Sequence, residues 1–174
     1  PRSTLFPYTT LFRSYLTLSE LENATEPVEF EDVQVQQFCE GLMDQIRDTV
    51  KSDVTLTVNA PKMSVPMNRE YVSHILSHLL ANAAEYTPAE GKITLEYKKR
   101  GQHSHQFLVS DTGVGIPEEQ RDDLFKPFLK IRDLTTGDGL GLPICKQMAL
   151  RMNGDLDIDP AFTKGTRFVL ELHA

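Results

Sequence analysis

The sequence has no tryptophan, only two cysteines, and fewer basic than acidic side chains. Each scarcity excludes something. The two thiols, Cys39 and Cys145, fall on the apolar stripes of expected helices, which points to core cysteines and away from a disulfide framework or a metal cluster. With 18 Lys and Arg against 25 Asp and Glu, the formal net charge of −7 argues against nucleic acid, whose phosphate backbone wants a basic face. No apolar run approaches the length of a membrane-spanning helix. What remains is 174 residues, 40% hydrophobic, enough for one domain with a real core.

The first stretch is a poor guide to fold. Thr4 to Ser14 matches the in-frame translation of a common sequencing-library adapter, so residues 1–14 are set aside as a tag would be. On that reading the natural chain is cut near Tyr15, with its true beginning missing.

Periodicity carries the rest. Tyr15 to Asn23 has the pattern of the last turns of a helix, and Val28 to Phe30 that of a short edge strand. From Val33 to Lys51, apolar residues at Val35, Phe38, Cys39, Leu42, Met43, Ile46 and Val50 mark a helix. Val54, Leu56 and Val58 alternate as a half-buried strand. A second helix is expected from Asn68 to Tyr86, with His78 and Asn82 four apart on one stripe. Strands follow over 93–99 and 106–110 around the turn Arg100-Gly101-Gln102, with His103 and His105 expected to be exposed. The polar stretch from Ile116 to Asp138, with Pro117 and Pro127, is expected to form a lid with short helical pieces. A helix over Leu142 to Met152, stopped by Asn153-Gly154, precedes closing strands over 156–158 and 166–172. The expected architecture is α/β, a two-layer sandwich with helices on one face of a mixed, mostly antiparallel sheet.

Glycines crowd an acidic residue twice, in Asp111-Thr-Gly113-Val-Gly115 and in Gly137-Asp138-Gly139-Leu140-Gly141-Leu142. Upstream lies His78-Leu-Leu-Ala-Asn82-Ala-Ala-Glu85-Tyr-Thr. This order supplies what a nucleotide pocket needs. Asn82 offers an amide oxygen to a hard cation such as Mg²⁺. Asp111, after the apolar run Phe107-Leu-Val, offers an acceptor to an adenine amino group, and the glycines let backbone approach phosphates. Gly141-Leu-Pro143 opens a helix whose N-terminus favours anionic oxygens.

With these boxes, the chain from about Pro27 onward resembles the ATP-binding domain of bacterial sensor histidine kinases, in the wider superfamily of gyrase, Hsp90 and MutL ATPases. The phenylalanine box Leu124-Phe125-Lys-Pro-Phe128 and the closing Gly165-Thr166-Arg-Phe-Val-Leu belong to the same pattern. The resemblance implies a Bergerat-type fold binding ATP and Mg²⁺. It implies transfer of the γ-phosphoryl group to a histidine of a dimerisation domain, and from there to a response regulator. It places the end of the dimerisation helix and a linker at 15–26 and the catalytic domain at 27–174, in a homodimeric cytoplasmic protein or the cytoplasmic part of a membrane-anchored sensor. Its site residues map onto His78, Asn82, Glu85, Asp111, Gly113, Gly115, Ile116, Phe125, Gly137, Gly139, Leu140, Gly141, Leu142 and Thr166, with Asn82 as the metal ligand.

Some roles stay open. Thr166 is either an ordinary strand threonine or the residue sharing a water with Asp111, and Lys130 is either a solvated charge or a catalytic phosphate contact. Phe125 and Phe128 pack the lid. Glu85 stands where many relatives carry Lys or Arg, and Asp138 adds further negative charge, so lowered nucleotide affinity is expected. A nucleotide-binding module without catalysis is therefore one rival. The other is a hydrolase of the gyrase or MutL type, which needs a glutamate where His78 stands. His74, His78, His103, His105 and His173 all lack the sequence context of the family's phosphoacceptor.

Overall fold

The computed structural model describes residues 17–126 and 141–173. A helical segment, α1, covers 17–23 and buries Leu18 and Leu21. The order then runs β1 (Glu31–Gln34), α2 (Val35–Ile46), β2 (Thr55–Asn59), β3 (Ser64–Met67) and α3 (Arg69–Tyr86). It continues with β4 (Lys92–Lys99), β5 (Ser104–Asp111), α4 (Glu118–Arg121), α5 (Gly141–Arg151), β6 (Asp155–Ile158) and β7 (Thr166–His173).

Five strands form one sheet in the order β2-β4-β5-β7-β6. Only the β2–β4 pair is parallel; the other pairs are antiparallel. Alternation sets the faces. Ile93, Leu95 and Tyr97 of β4, Phe107 and Val109 of β5, and Phe168, Leu170 and Leu172 of β7 are buried. α2, α3 and α5 cover that face, and the expected two-layer sandwich is the observed one. The apolar stripe read for α2 is fully buried from Val35 to Ile46. Each such side chain contributes about 1.5–3 kcal/mol by leaving water.

Local chemistry fixes the helix ends. Asn68 caps α3 by accepting from the Tyr71 N–H at 2.8 Å, and the helix stops at Thr87 before Pro88. α5 closes through Asn153 at φ 60° and the Gly154 N–H, which donates to the Ala149 carbonyl at 2.9 Å.

Two expectations need correction, and one strand lies outside the expected set. The edge strand is not at Val28 to Phe30 but at Glu31–Gln34, because Val33 pairs with Val65 of β3 while Phe30 stays 47% exposed. β3 itself was not expected; Pro66 breaks the strand pattern, and a two-stranded sheet tolerates it. His105 is not exposed. β5 begins at Ser104, so alternation turns His105 inward beside Phe107, where its Nδ1 lies 2.9 Å from Tyr97 Oη. Burial, then Lys99, then His173 hold its pKa below the ordinary 6.5.

Cys39 and Cys145 are free and buried, and burial pushes both thiols up to about 12. They are core residues, protonated and unreactive. Among the described residues, no helix is long and apolar enough to cross a membrane.

Candidate functional site

The central strand of the sheet aims at the site. Asp111 is the last residue of β5, 8% exposed, and stands in register between Ile93 of β4 and Thr166 of β7. Its Oδ1 accepts the Gly113 N–H at 2.9 Å, so the carboxylate is oriented by the loop that follows it. Thr166 is 2% exposed, and its hydroxyl finds no hydrogen-bond partner among the described residues. A buried polar atom in that state costs free energy unless something outside the chain satisfies it.

Close backbone approach explains two glycines. A Cβ at Gly165 would lie 1.9 Å from the Asp111 carbonyl oxygen, and its φ of 134° strains any other residue. A Cβ at Gly113 would lie 2.6 Å from the Tyr86 carbonyl oxygen. The first glycine box is therefore wedged between the C-terminal end of α3 and the start of β7. Gly115 and the buried Ile116 continue this loop and line a cavity of about 400 Å³ with Pro117, Arg121 and Gly165.

α3 brings the second set of groups. Asn82 is 6% exposed, and its Nδ2 has no partner among the described residues. His78, one turn earlier, is half-buried, and a Cβ at Gly141 would lie 2.3 Å from its Cε1. The start of α5 thus sits directly on the His78 ring, and Leu142 in its first turn is buried. Glu85 is exposed in the last turn of α3. A larger cavity of about 770 Å³ runs along the outer stripe of α3, past Glu70, Ser73 and His74, and meets the expected residues only at His78.

Phe125 is half-buried under the Lys146 ammonium, which lies 4.9 Å from its ring centroid. Lys146 also donates to Asp155 Oδ1 at 2.6 Å and to the Leu156 carbonyl at 2.9 Å. Phe128, Lys130, Gly137, Asp138, Gly139 and Leu140 lie outside the described residues. Sequence reasoning passed over Lys146 and Lys51. Neither belongs to a glycine-rich or acidic motif; Lys146 reaches the start of the next strand, and Lys51 reaches 34 and 36 residues along the chain.

Residues 67–174 match the family described as histidine kinase-, DNA gyrase B- and HSP90-like ATPases. The chain belongs to this family. Its relatives in it are sensor kinases, and the domain is of their catalytic, ATP-binding kind. It is 28% identical over 163 residues to the adaptive-response sensory kinase SasA of Rippkaea orientalis, covering 91% of this chain and 42% of that protein. It is 30% identical over 170 residues to the autoinducer 2 sensor kinase/phosphatase LuxQ of Vibrio vulnificus, covering 92% and 18%. The chain thus spans less than half the length of either relative. Among solved structures, the mycobacterial sensor histidine kinase MprB superposes with TM-score 0.71 at 25% identity, covering 82% of this chain and 97% of that one. Full-length ShkA, solved in complex with AMPPNP, reaches TM-score 0.81 at 22% identity over 95% and 35% of the two chains, a likeness of fold.

Proposed function

We propose that this histidine kinase-like domain binds ATP with Mg²⁺ between the C-terminal half of α3 and the end of β5. It then passes the γ-phosphoryl group to a histidine of a dimerisation domain. The carrying observation is Asp111, nearly buried and oriented at the end of the central strand, beside a Thr166 hydroxyl with no hydrogen-bond partner among the described residues. In this reading Asp111 accepts from the adenine amino group, and Thr166 holds a water shared with that carboxylate. Gly113 and Gly115 allow the base and phosphates to lie against backbone. Phe125, Leu142 and Ile116 pack the walls, and His78 supports the start of α5.

The residues present fit magnesium. The Asn82 amide is buried, its Nδ2 has no partner among the described residues, and an amide can turn its oxygen toward a hard, oxygen-seeking cation. When bound with nucleotide, the ion would neutralise phosphate charge. Lys130, Gly137, Gly139, Leu140 and Gly141 are proposed, from their sequence pattern, as the phosphate side of the site. Glu85 and Asp138 are proposed to temper affinity.

In the transfer, the bond from the γ-phosphorus to the bridging oxygen breaks as a P–N bond forms with the acceptor imidazole, which gives up its proton; ADP leaves. Little covalent chemistry falls to this domain, whose part is positioning and charge stabilisation. The acceptor then serves an aspartate of a response regulator. Residues 1–14 are proposed as adapter-derived, 15–26 as the end of the dimerisation helix with its linker, and 27–174 as the catalytic domain of a cytoplasmic, homodimeric kinase.

The test supplies this chain in trans with the dimerisation domain encoded by its own full-length gene and γ-labelled ATP. An acid-labile, base-stable label on that domain is the expected result. Tight ATP binding with no labelling would instead favour a nucleotide-binding module without catalysis, and rapid hydrolysis by the chain alone a gyrase-type enzyme.

A further inference from the structure

α3 ends with the wrong charge. Its last turn holds no basic residue and carries Glu85, whose carboxylate opposes the partial negative charge at a helix C-terminus. The Thr87 N–H donates to the Ala83 carbonyl at 2.9 Å, and the Glu85 carbonyl lies beyond that last helical bond. Lys51, in the loop between α2 and β2, meets both needs. Its ammonium donates to the Glu85 carbonyl, and its Nζ lies 3.4 Å from the Thr87 carbonyl oxygen.

Between those two carbonyls stands Tyr86. Its carbonyl oxygen is the group against which Gly113 is packed, and the Gly113 N–H in turn holds Asp111 Oδ1. We infer that Lys51 is a positioning residue for Asp111: by supplying the cation that the α3 terminus lacks, it fixes the seat on which the first glycine box rests. The inference rests on the proposed role of Asp111 as the adenine acceptor. Lys51 acts 34 residues away from Glu85 in sequence and outside every glycine-rich box, so nothing in the motif pattern marks it. It touches carbonyls of the protein, and its effect is expected on base reading rather than on phosphate binding.

The experiment compares Lys51→Met and Lys51→Arg with the parent full chain, using ATP, AMP and their 6-oxo (inosine) counterparts, with and without Mg²⁺. Lys51→Met should bind ATP and AMP alike roughly threefold to tenfold more weakly, the loss of one charge-assisted hydrogen bond, whether or not Mg²⁺ is present. The preference for adenine over hypoxanthine should narrow by a similar factor. Arg at this position, which keeps the charge and the donors, should restore both. The Gly113 amide resonance should move in the Met variant and return in the Arg variant. A Lys51→Met chain that keeps its adenine preference overturns the inference. So does a loss that grows with phosphate number and vanishes at high salt, since that is the behaviour of a bare charge. Asp111→Asn is the control. If it abolishes adenine preference while Lys51→Met does not, the Lys51 inference alone fails; if it too has no effect, the reading of the site fails.

Discussion

At the scale of single residues, Asp111 and Asn82 divide the proposed labour, and the division can be measured. Asp111→Asn should remove most nucleotide binding with or without Mg²⁺, costing about 1.5–3 kcal/mol, because a charged acceptor to a buried amine is lost. Asn82→Ala should weaken binding chiefly when Mg²⁺ is present. A titration with a fluorescent ATP analogue reads both, and parent-like binding by Asp111→Asn would mean the pocket is elsewhere. Glu85→Lys should tighten ATP binding by about twofold to fivefold at low salt, a gain that fades as salt screens an exposed charge. The residues proposed for these roles stand out in the sequence because each sits in a box whose order and spacing suit nucleotide chemistry. Lys51 does not, since a lone lysine in a loop shows its purpose only when the fold delivers it to the α3 carbonyls.

At the scale of elements, glycine separates necessity from tolerance. Gly165→Ala should destabilise the chain by more than about 1 kcal/mol, since its φ of 134° and the Asp111 carbonyl both exclude a Cβ. Gly41, in the middle of α2, has nothing within 4 Å of its absent Cβ, so Gly41→Ala should stabilise by about 0.5–1 kcal/mol. Urea unfolding distinguishes the two. The β4–β5 hairpin contributes one part of the pH dependence. The fold holds His105 neutral with a pKa below 6.5, through burial first, then Lys99 and His173. Below the unfolded value the unfolded chain binds the proton first, so stability should fall as pH drops from 6.5 towards the folded value and stay flat above. His74 moves the same way, through partial burial opposed by Glu70, so His105→Gln should flatten the slope only in part. Helices and the strands of the large sheet were readable because their apolar periods are long. β3 hid behind Pro66, and the inward turn of His105 depended on a strand starting two residues earlier than polarity suggested.

At the scale of the whole molecule, the proposed reading gives the domain a nucleotide to hold and leaves the acceptor histidine to a separate domain. No histidine in the chain stands in an acceptor context, and His78 occupies the position where a hydrolase would need a carboxylate to activate water. The first glycine box follows β5, and Gly141, where α5 begins, packs on His78 of α3, so β5, α3 and α5 meet around the proposed site. Binding should therefore stabilise the domain as a unit. At free nucleotide about 100-fold above its Kd, mass action adds about 2.7 kcal/mol to unfolding, readable as a raised Tm. The rise should persist with ADP, be lost in Asp111→Asn, and depend on Mg²⁺ only through Asn82. Over the same incubation the chain alone should release little phosphate and carry no acid-labile label on itself. A chain that is stabilised by ATP and also hydrolyses it rapidly would carry its own water-activating group, and the division between a binding domain and a separate acceptor would be wrong.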